Sequence, residues 1–229
     1  VVRRIASLSG GRVADYIPQL TKADPEWFGL SLVSMEGHCY DAGDSDVPFT
    51  IQSISKPFVF ALALADRGLD DVSSRVGSEP SGEAFNAISL EPQSGRPANP
   101  MINAGAILTS SLVRAADATE RFDRIREMLS AFAGRQLTVD EDVFASERAT
   151  GDRNRALGYL MRNAGSLDCD VEEALEVYFR QCSVSVTTTD LAVMAATLAN
   201  GGVNPCTQDV VVDRRTATLV LTIMATCGM

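Results

Sequence analysis

Lysine is almost absent from this sequence: of its 20 basic residues, 18 are arginine and only Lys22 and Lys56 are lysine. Histidine is rarer still, with His38 alone. The basic residues are outnumbered by 30 acidic ones, a net charge of −10, so a nucleic-acid surface is not expected. One histidine beside the turn "EGHCY", and no G-x-S-x-G around any serine, argue against a Ser-His-Asp triad. The five cysteines are scattered and form no C-x-x-C. A disulfide framework or zinc site is therefore not expected, and a reducing, cytoplasmic setting fits better. Magnesium- and zinc-binding motifs are missing, so no metal is expected. No apolar run is long enough for a bilayer, so no membrane is expected. The opening "VVRRIASLSG" lacks the apolar centre of an export signal. It also begins on Val rather than Met, which reads as a trimmed piece.

What is present suits a globular protein: 229 residues, 45% hydrophobic and 22% charged. "WFGLSLVSMEGHCYDAGD" alternates apolar and polar residues around Glu36-Gly37, which predicts a β-hairpin. "VPFTIQ" predicts a further extended piece. The stretch from Ile54 to Arg67 predicts a helix stopped by Gly68 and apolar on every face, hence buried. Residues 69–103, rich in Ser, Gly, Pro and Asn, read as a long irregular segment, and such segments are often functional. Helices are predicted over 104–117, 119–133, 154–164, 171–182, 188–200 and 213–226. A small sheet beside a large helical part makes the fold class α+β.

Lys56 stands at the mouth of the buried helix, three residues after Ser53. A hydroxyl is a poor nucleophile until a base takes its proton. An ordinary lysine is charged at neutral pH, but burial favours its neutral form and makes it a workable base. The helix N-terminus favours negative charge on Ser53 Oγ. This S-x-x-K spacing is the one used by serine β-lactamases and penicillin-binding proteins. The plain alternative is a capping serine followed by a lysine reaching for solvent.

Other segments set polar residues in unusual places. "RPANPMINAGAILTSSLV" puts Asn103 just before a helix of small residues, where its ordinary role is an N-cap. "ASERATGDRNRALGYLM" places Glu147 and Asn154 around Gly151, ordinarily a solvated turn leading into a helix. "LEVYFRQCSV" sets Tyr178 on one helix face with Leu175 and Cys182, ordinarily a core position with its hydroxyl tied to a neighbour.

In order, "GRVADYIPQL", "VPFTIQSISKPF", "NPMINAGAI", "SERATGDRN", "YFRQCSV" and "MAATLANGG" closely resemble the serine-dependent glutaminases of bacteria and mitochondria, from about Gly11 to Met229. The resemblance implies the β-lactamase/transpeptidase-like fold and hydrolysis of L-glutamine to L-glutamate and ammonia through an acyl-enzyme, with no cofactor. It makes Ser53 the nucleophile and Lys56 its base. Tyr178 assists proton transfer or binds substrate. Asn103, Glu147 and Asn154 match substrate-binding positions, and Tyr16 and Gln52 line the pocket. A homodimer or homotetramer is implied.

One departure stands out. Family members continue past "CGM" with a Tyr-Asp pair and later a Lys-Ser-Gly strand, the counterpart of the β-lactamase K-T-G. Residues 1–229 are thus read as a single catalytic domain lacking its C-terminal strands. A polypeptide ending at Met229 is expected to have little or no activity. Two other readings are open from the residues: a β-lactamase or D,D-peptidase, and a ligand sensor that keeps the pocket without turnover. The first normally carries an export signal and a Ser-Asp-Asn segment where this chain has "INAGA". The Ser53/Lys56 pair argues against the second, and the missing C-terminal strands argue for it.

Overall fold

The computed structural model of the protein describes Ile5 and residues 10–228. Most of the opening stretch weighed above as an export signal, and Met229, lie outside the described residues. The expected hairpin is present: β1 (Gly29–Val33) pairs antiparallel with β2 (Cys39–Gly43), Leu32 facing Tyr40. Its turn closes where the sequence placed it, with Ser34 N–H donating to His38 O at 2.9 Å and Gly37 N–H to Ser34 O at 3.0 Å. A second sheet has the order β3-β5-β4, built from β3 (Phe49–Thr50), β4 (Thr138–Val139) and β5 (Val184–Val186), all antiparallel. The one small sheet expected is therefore two.

The helix that opens at the lysine of the S-x-x-K segment is α1 (Lys56–Arg67), buried at every residue from Lys56 to Leu64. Over that stretch it has no polar face because it has no solvent face. It packs against α2 (Leu69–Arg75), α3 (Asn103–Leu112), α4 (Ala118–Ala133) and α9 (Arg214–Cys227). Burying each large side chain, such as Phe58 or Leu62, stabilises the fold by about 1.5–3 kcal/mol. A second apolar cluster is built on α3, α6 (Asp152–Ala164) and α7 (Val171–Cys182).

Asp caps set four helix starts. Asp117, Asp140, Asp170 and Asp213 each accept from a first-turn N–H, of α4, α5 (Glu141–Thr150), α7 and α9. Thr187 and Asp190 form a reciprocal capping box on α8 (Thr188–Ala199).

Three expectations need correction. Residues 69–103 are not wholly irregular, because α2 occupies their start. The helix expected over 104–117 ends at Leu112, and Asp117 then starts α4 instead. Glu147 lies in α5, a helix rather than a solvated turn, and is buried.

Candidate active site

The chain enters α1 through a 3-10 turn, Gln52–Ser55. In that turn Lys56 N–H bonds to Ser53 O, so the two residues eclipse and share one side. Gln52 takes φ +49°, a left-handed conformation that costs a non-glycine residue about 1–3 kcal/mol. The strain is held by a chain of bonds. Gln181 Nε2 on α7 donates to Ser55 Oγ at 3.0 Å, and Ser55 Oγ donates to Gln52 O at 2.7 Å. Gln52 Nε2 donates to Thr50 Oγ1 at 3.0 Å. Ser53, half-buried, is thus presented from a braced turn.

Lys56 is 1% exposed. Its Nζ donates to Asn103 Oδ1 at 2.7 Å and to Met101 O at 3.1 Å. It also lies 5.2 Å from the centre of the Phe85 ring. Burial lowers its pKa from 10.5 to about 8. The neighbouring Cys182 is kept a neutral thiol, burial raising its pKa well above the ordinary value, so no thiolate there opposes the effect at neutral pH.

Asn103 is the first residue of α3, and its side chain does not cap the helix. Because an ammonium only donates, Lys56 fixes the Asn103 amide with Oδ1 toward Nζ. Tyr178 OH donates to the same oxygen at 3.4 Å. Asn103 Nδ2 then donates to Asn154 Oδ1 at 3.0 Å, which leaves the Asn154 NH₂ as the donor end of the network. Asn154 belongs to α6, and Gly151 sets the approach of its helix: a Cβ there would fall 2.4 Å from the Phe179 ring of α7.

Glu147 is 7% exposed, and its Oε2 has no hydrogen-bond partner among the described residues. Burial pushes its pKa up to about 8. Tyr178, fully enclosed on α7, is held well above its ordinary pKa by burial and keeps its proton.

These groups surround one cavity of about 370 Å³, whose lining includes Tyr16, Gln52, Ser53, Asn103, Glu147, Asn154 and Tyr178. Lys56 sits behind Asn103. A cavity of about 470 Å³ near β1 and β3 is larger, but its ionisable lining, Lys22, Asp24, Asp44 and Asp140, is exposed and unremarkable chemically. His38 is exposed beside the hairpin turn and is not part of either lining.

An eclipsed serine and buried lysine at a core helix, facing a polar pocket, also have relatives. The family model described as Glutaminase matches residues 11–229. The chain belongs to the glutaminase family. A glutaminase of Nostoc sp. is 55% identical over 223 residues, covering 97% of this chain and 67% of the relative. Glutaminase 2 of Bradyrhizobium diazoefficiens is 55% identical over 221 residues, covering 96% of this chain and 35% of the relative. The solved native form of Mglu superimposes with a TM-score of 0.94 at 46% identity, over 100% of this chain and 55% of Mglu. A structure described as probable glutaminase ybaS gives 0.95 at 41%, over 98% of this chain and 73% of that one. The chain therefore spans about half the length of Mglu and about two thirds of the Nostoc relative. The α+β fold implied by the resemblance is the one found.

In this member of the glutaminase family the cavity also holds residues that sequence reasoning did not single out: Phe85, Asn86, Arg153 and Cys182. Arg153 Nε donates to Asn86 O at 2.5 Å and ties α6 to the segment before α3. Cys182 was legible as a neighbour of Tyr178 on one helix face but was read as core. Phe85 and Asn86, in the irregular segment, carried no local signal. Among the described residues no group of three or more His, Cys, Asp or Glu is placed to hold a metal ion, and no helix is long and apolar enough to cross a membrane.

Proposed function

We propose that this chain carries the catalytic machinery of a glutaminase that hydrolyses L-glutamine to L-glutamate and ammonia through an acyl-enzyme on Ser53. The observation that carries the reading is the buried Lys56, eclipsed with Ser53 and lowered to about 8, which makes it a base near neutral pH. Lys56 takes the proton from Ser53 Oγ as the oxygen attacks the side-chain amide carbon. Preorganised backbone N–H groups, with that of Ser53 one candidate, receive the oxyanion, a donor typically worth about 10²–10³ in rate. The C–N bond breaks as the nitrogen gains a proton and leaves as ammonia. Water then hydrolyses the ester and returns the proton to Ser53.

Tyr178 keeps its phenolic proton, so it acts as a donor rather than a phenolate base. The two ends of the amino-acid headgroup have suitable partners. The unpartnered Glu147 oxygen receives the α-ammonium, and the Asn154 NH₂ with Asn103 orients the α-carboxylate. Glutamine is neutral at its side chain, which suits a cavity whose reacting end presents a hydroxyl and an amine. The homo-oligomer implied by the resemblance and the cytoplasmic setting read from the scattered cysteines remain part of the same proposal.

The test is ammonia release from L-glutamine by the full-length protein that carries this chain, beside Ser53→Ala. Activity that falls by about 10³-fold or more in Ser53→Ala supports the reading. Turnover that survives the substitution, or none in the folded parent, overturns it.

A further inference from the structure

The β1–β2 hairpin and the turn that follows α8 meet at one carbonyl group. Cys39 Sγ and Cys206 Sγ each lie 3.9 Å from Gly37 O. The two thiols, far apart in the chain, thus share one carbonyl neighbour, and both are exposed.

The approach is built into both backbones. Gly37 has φ +83°, and a Cβ there would fall 2.4 Å from Pro205 O, so a side chain at this position would push the two turns apart. Cys39 is paired in the sheet, opposite Val33. On the other side, the buried Asn204 side chain accepts from Cys206 N–H at 2.9 Å and Thr207 N–H at 3.2 Å. Its amide also donates to Ala131 O and Phe132 O, each at 3.1 Å, at the end of α4. Neither thiol therefore rides on a loose segment. Two exposed thiols held against one carbonyl oxygen by rigid turns are placed to join.

We propose that Cys39 and Cys206 are a reversible redox site, closing to an intramolecular disulfide when the protein meets an oxidised low-molecular-weight disulfide. One protein thiol loses its proton and attacks the reagent's S–S bond, expelling one reagent thiolate and leaving a mixed disulfide. The second protein thiol, deprotonated in turn, attacks the protein sulfur of that intermediate and expels the other. The protein gives up two protons and two electrons, and the reagent is reduced to two thiols. The bond would tie the hairpin to the segment after α8. The same hairpin already touches the start of α8, where Ser31 Oγ meets Thr188 Oγ1 at 2.9 Å and Thr189 Oγ1 at 3.2 Å. Oxidation would therefore fasten the hairpin at both ends of that helix, away from the catalytic cavity.

The remaining cysteines serve as controls within the same molecule, since Cys182 is buried and Cys169 and Cys227 are partly so. Dilute protein is treated with oxidised glutathione, its remaining thiols are alkylated, and peptides are mapped without reduction. The expected result is a fall from five thiols to three and a linked Cys39–Cys206 peptide that dithiothreitol separates. The oxidised form should melt about 5 °C or more higher, because a cross-link between distant positions restricts the unfolded chain. Cys39→Ser should abolish the link and leave glutathione attached at Cys206. Stable glutathione adducts on both thiols of the parent, links only between molecules, or two thiols that stay alkylatable would each overturn the proposal. The parent's peptide map decides the matter even where the serine variant fails to fold.

Discussion

Replacing Lys56 by methionine should make the protein more stable at neutral pH and inactive. A tenfold displacement of a proton equilibrium corresponds to about 1.4 kcal/mol, so lowering Lys56 from 10.5 to about 8 puts the cost of its buried charge at about 3 kcal/mol. Methionine fills similar space without that charge. It gives no hydrogen bond to Met101 O, which would lose its Lys56 donor at a cost of about 1–2 kcal/mol. Asn103 Oδ1 retains Tyr178 OH as donor. The net gain is about 1–2 kcal/mol, or about 3–6 °C in Tm for a chain of this size. The sign with pH follows from the depressed pKa. The wild-type lysine is least costly above 10.5, where it is neutral folded or unfolded, and its cost is fully present once pH falls below about 8. The advantage of Lys56→Met should therefore be full at pH 6–7 and fade by about pH 10. Scanning calorimetry at several pH values measures it. A variant that melts below the parent at pH 6, or a Tm gap that does not change between pH 6 and 10, would refute the assignment of a dry, destabilising ammonium.

Three further outcomes follow from the site. Glu147→Gln should raise KM for glutamine by about 10–100-fold with a smaller change in kcat, the mark of lost ground-state binding. Because its folded pKa is raised from 4.5 to about 8, the parent loses stability as pH rises through that window, so the variant should gain Tm over the parent at pH 9 and little at pH 4. In the empty cavity Glu147 is about nine-tenths protonated at pH 7, so an α-ammonium that pairs with it should expel close to one proton. Calorimetric titration with L-glutamate in two buffers of different ionisation enthalpy measures that count, and zero net release would remove Glu147 from the ammonium site. Gln181→Leu should lower kcat more than about tenfold while moving Tm by less than about 3 °C. It frees the Gln52–Ser55 turn, but it also removes the buried, unpartnered Gln181 Oε1.

How far the sequence could be read depended on whether its signals were local. The α7 helix was found at its full extent because Asp170 caps it and an amphipathic pattern runs to Cys182. The α5 helix was missed: "EDVFASERAT" has only two large apolar residues, and Val143 and Phe144, with Glu147, face the rest of the fold. Ser53 and Lys56 were legible from spacing, since one short turn joins them. Asn103, Glu147 and Asn154 come from three helices, and no periodicity announces that they converge, so the family resemblance had to supply them. Strain at Gln52 and the brace from Gln181 left no trace in composition. The approach of Cys39 and Cys206 to one carbonyl was invisible for the same reason, and the scattered cysteines were read only as the absence of a framework.

The burial of α1 on all sides bears on how the protein comes apart. Amides in its middle, around Phe58 to Leu64, are enclosed by four helices and cannot reach solvent by fraying of a surface element. They should exchange hydrogen for deuterium only through global opening and so rank among the slowest in the molecule. Ser53 and Lys56 are attached to the end of that same helix. Partial unfolding that released the hairpin would leave the pair assembled, whereas any opening that dissolved the pair would dissolve the core with it. Turnover in rising denaturant should therefore vanish together with the last protected amides.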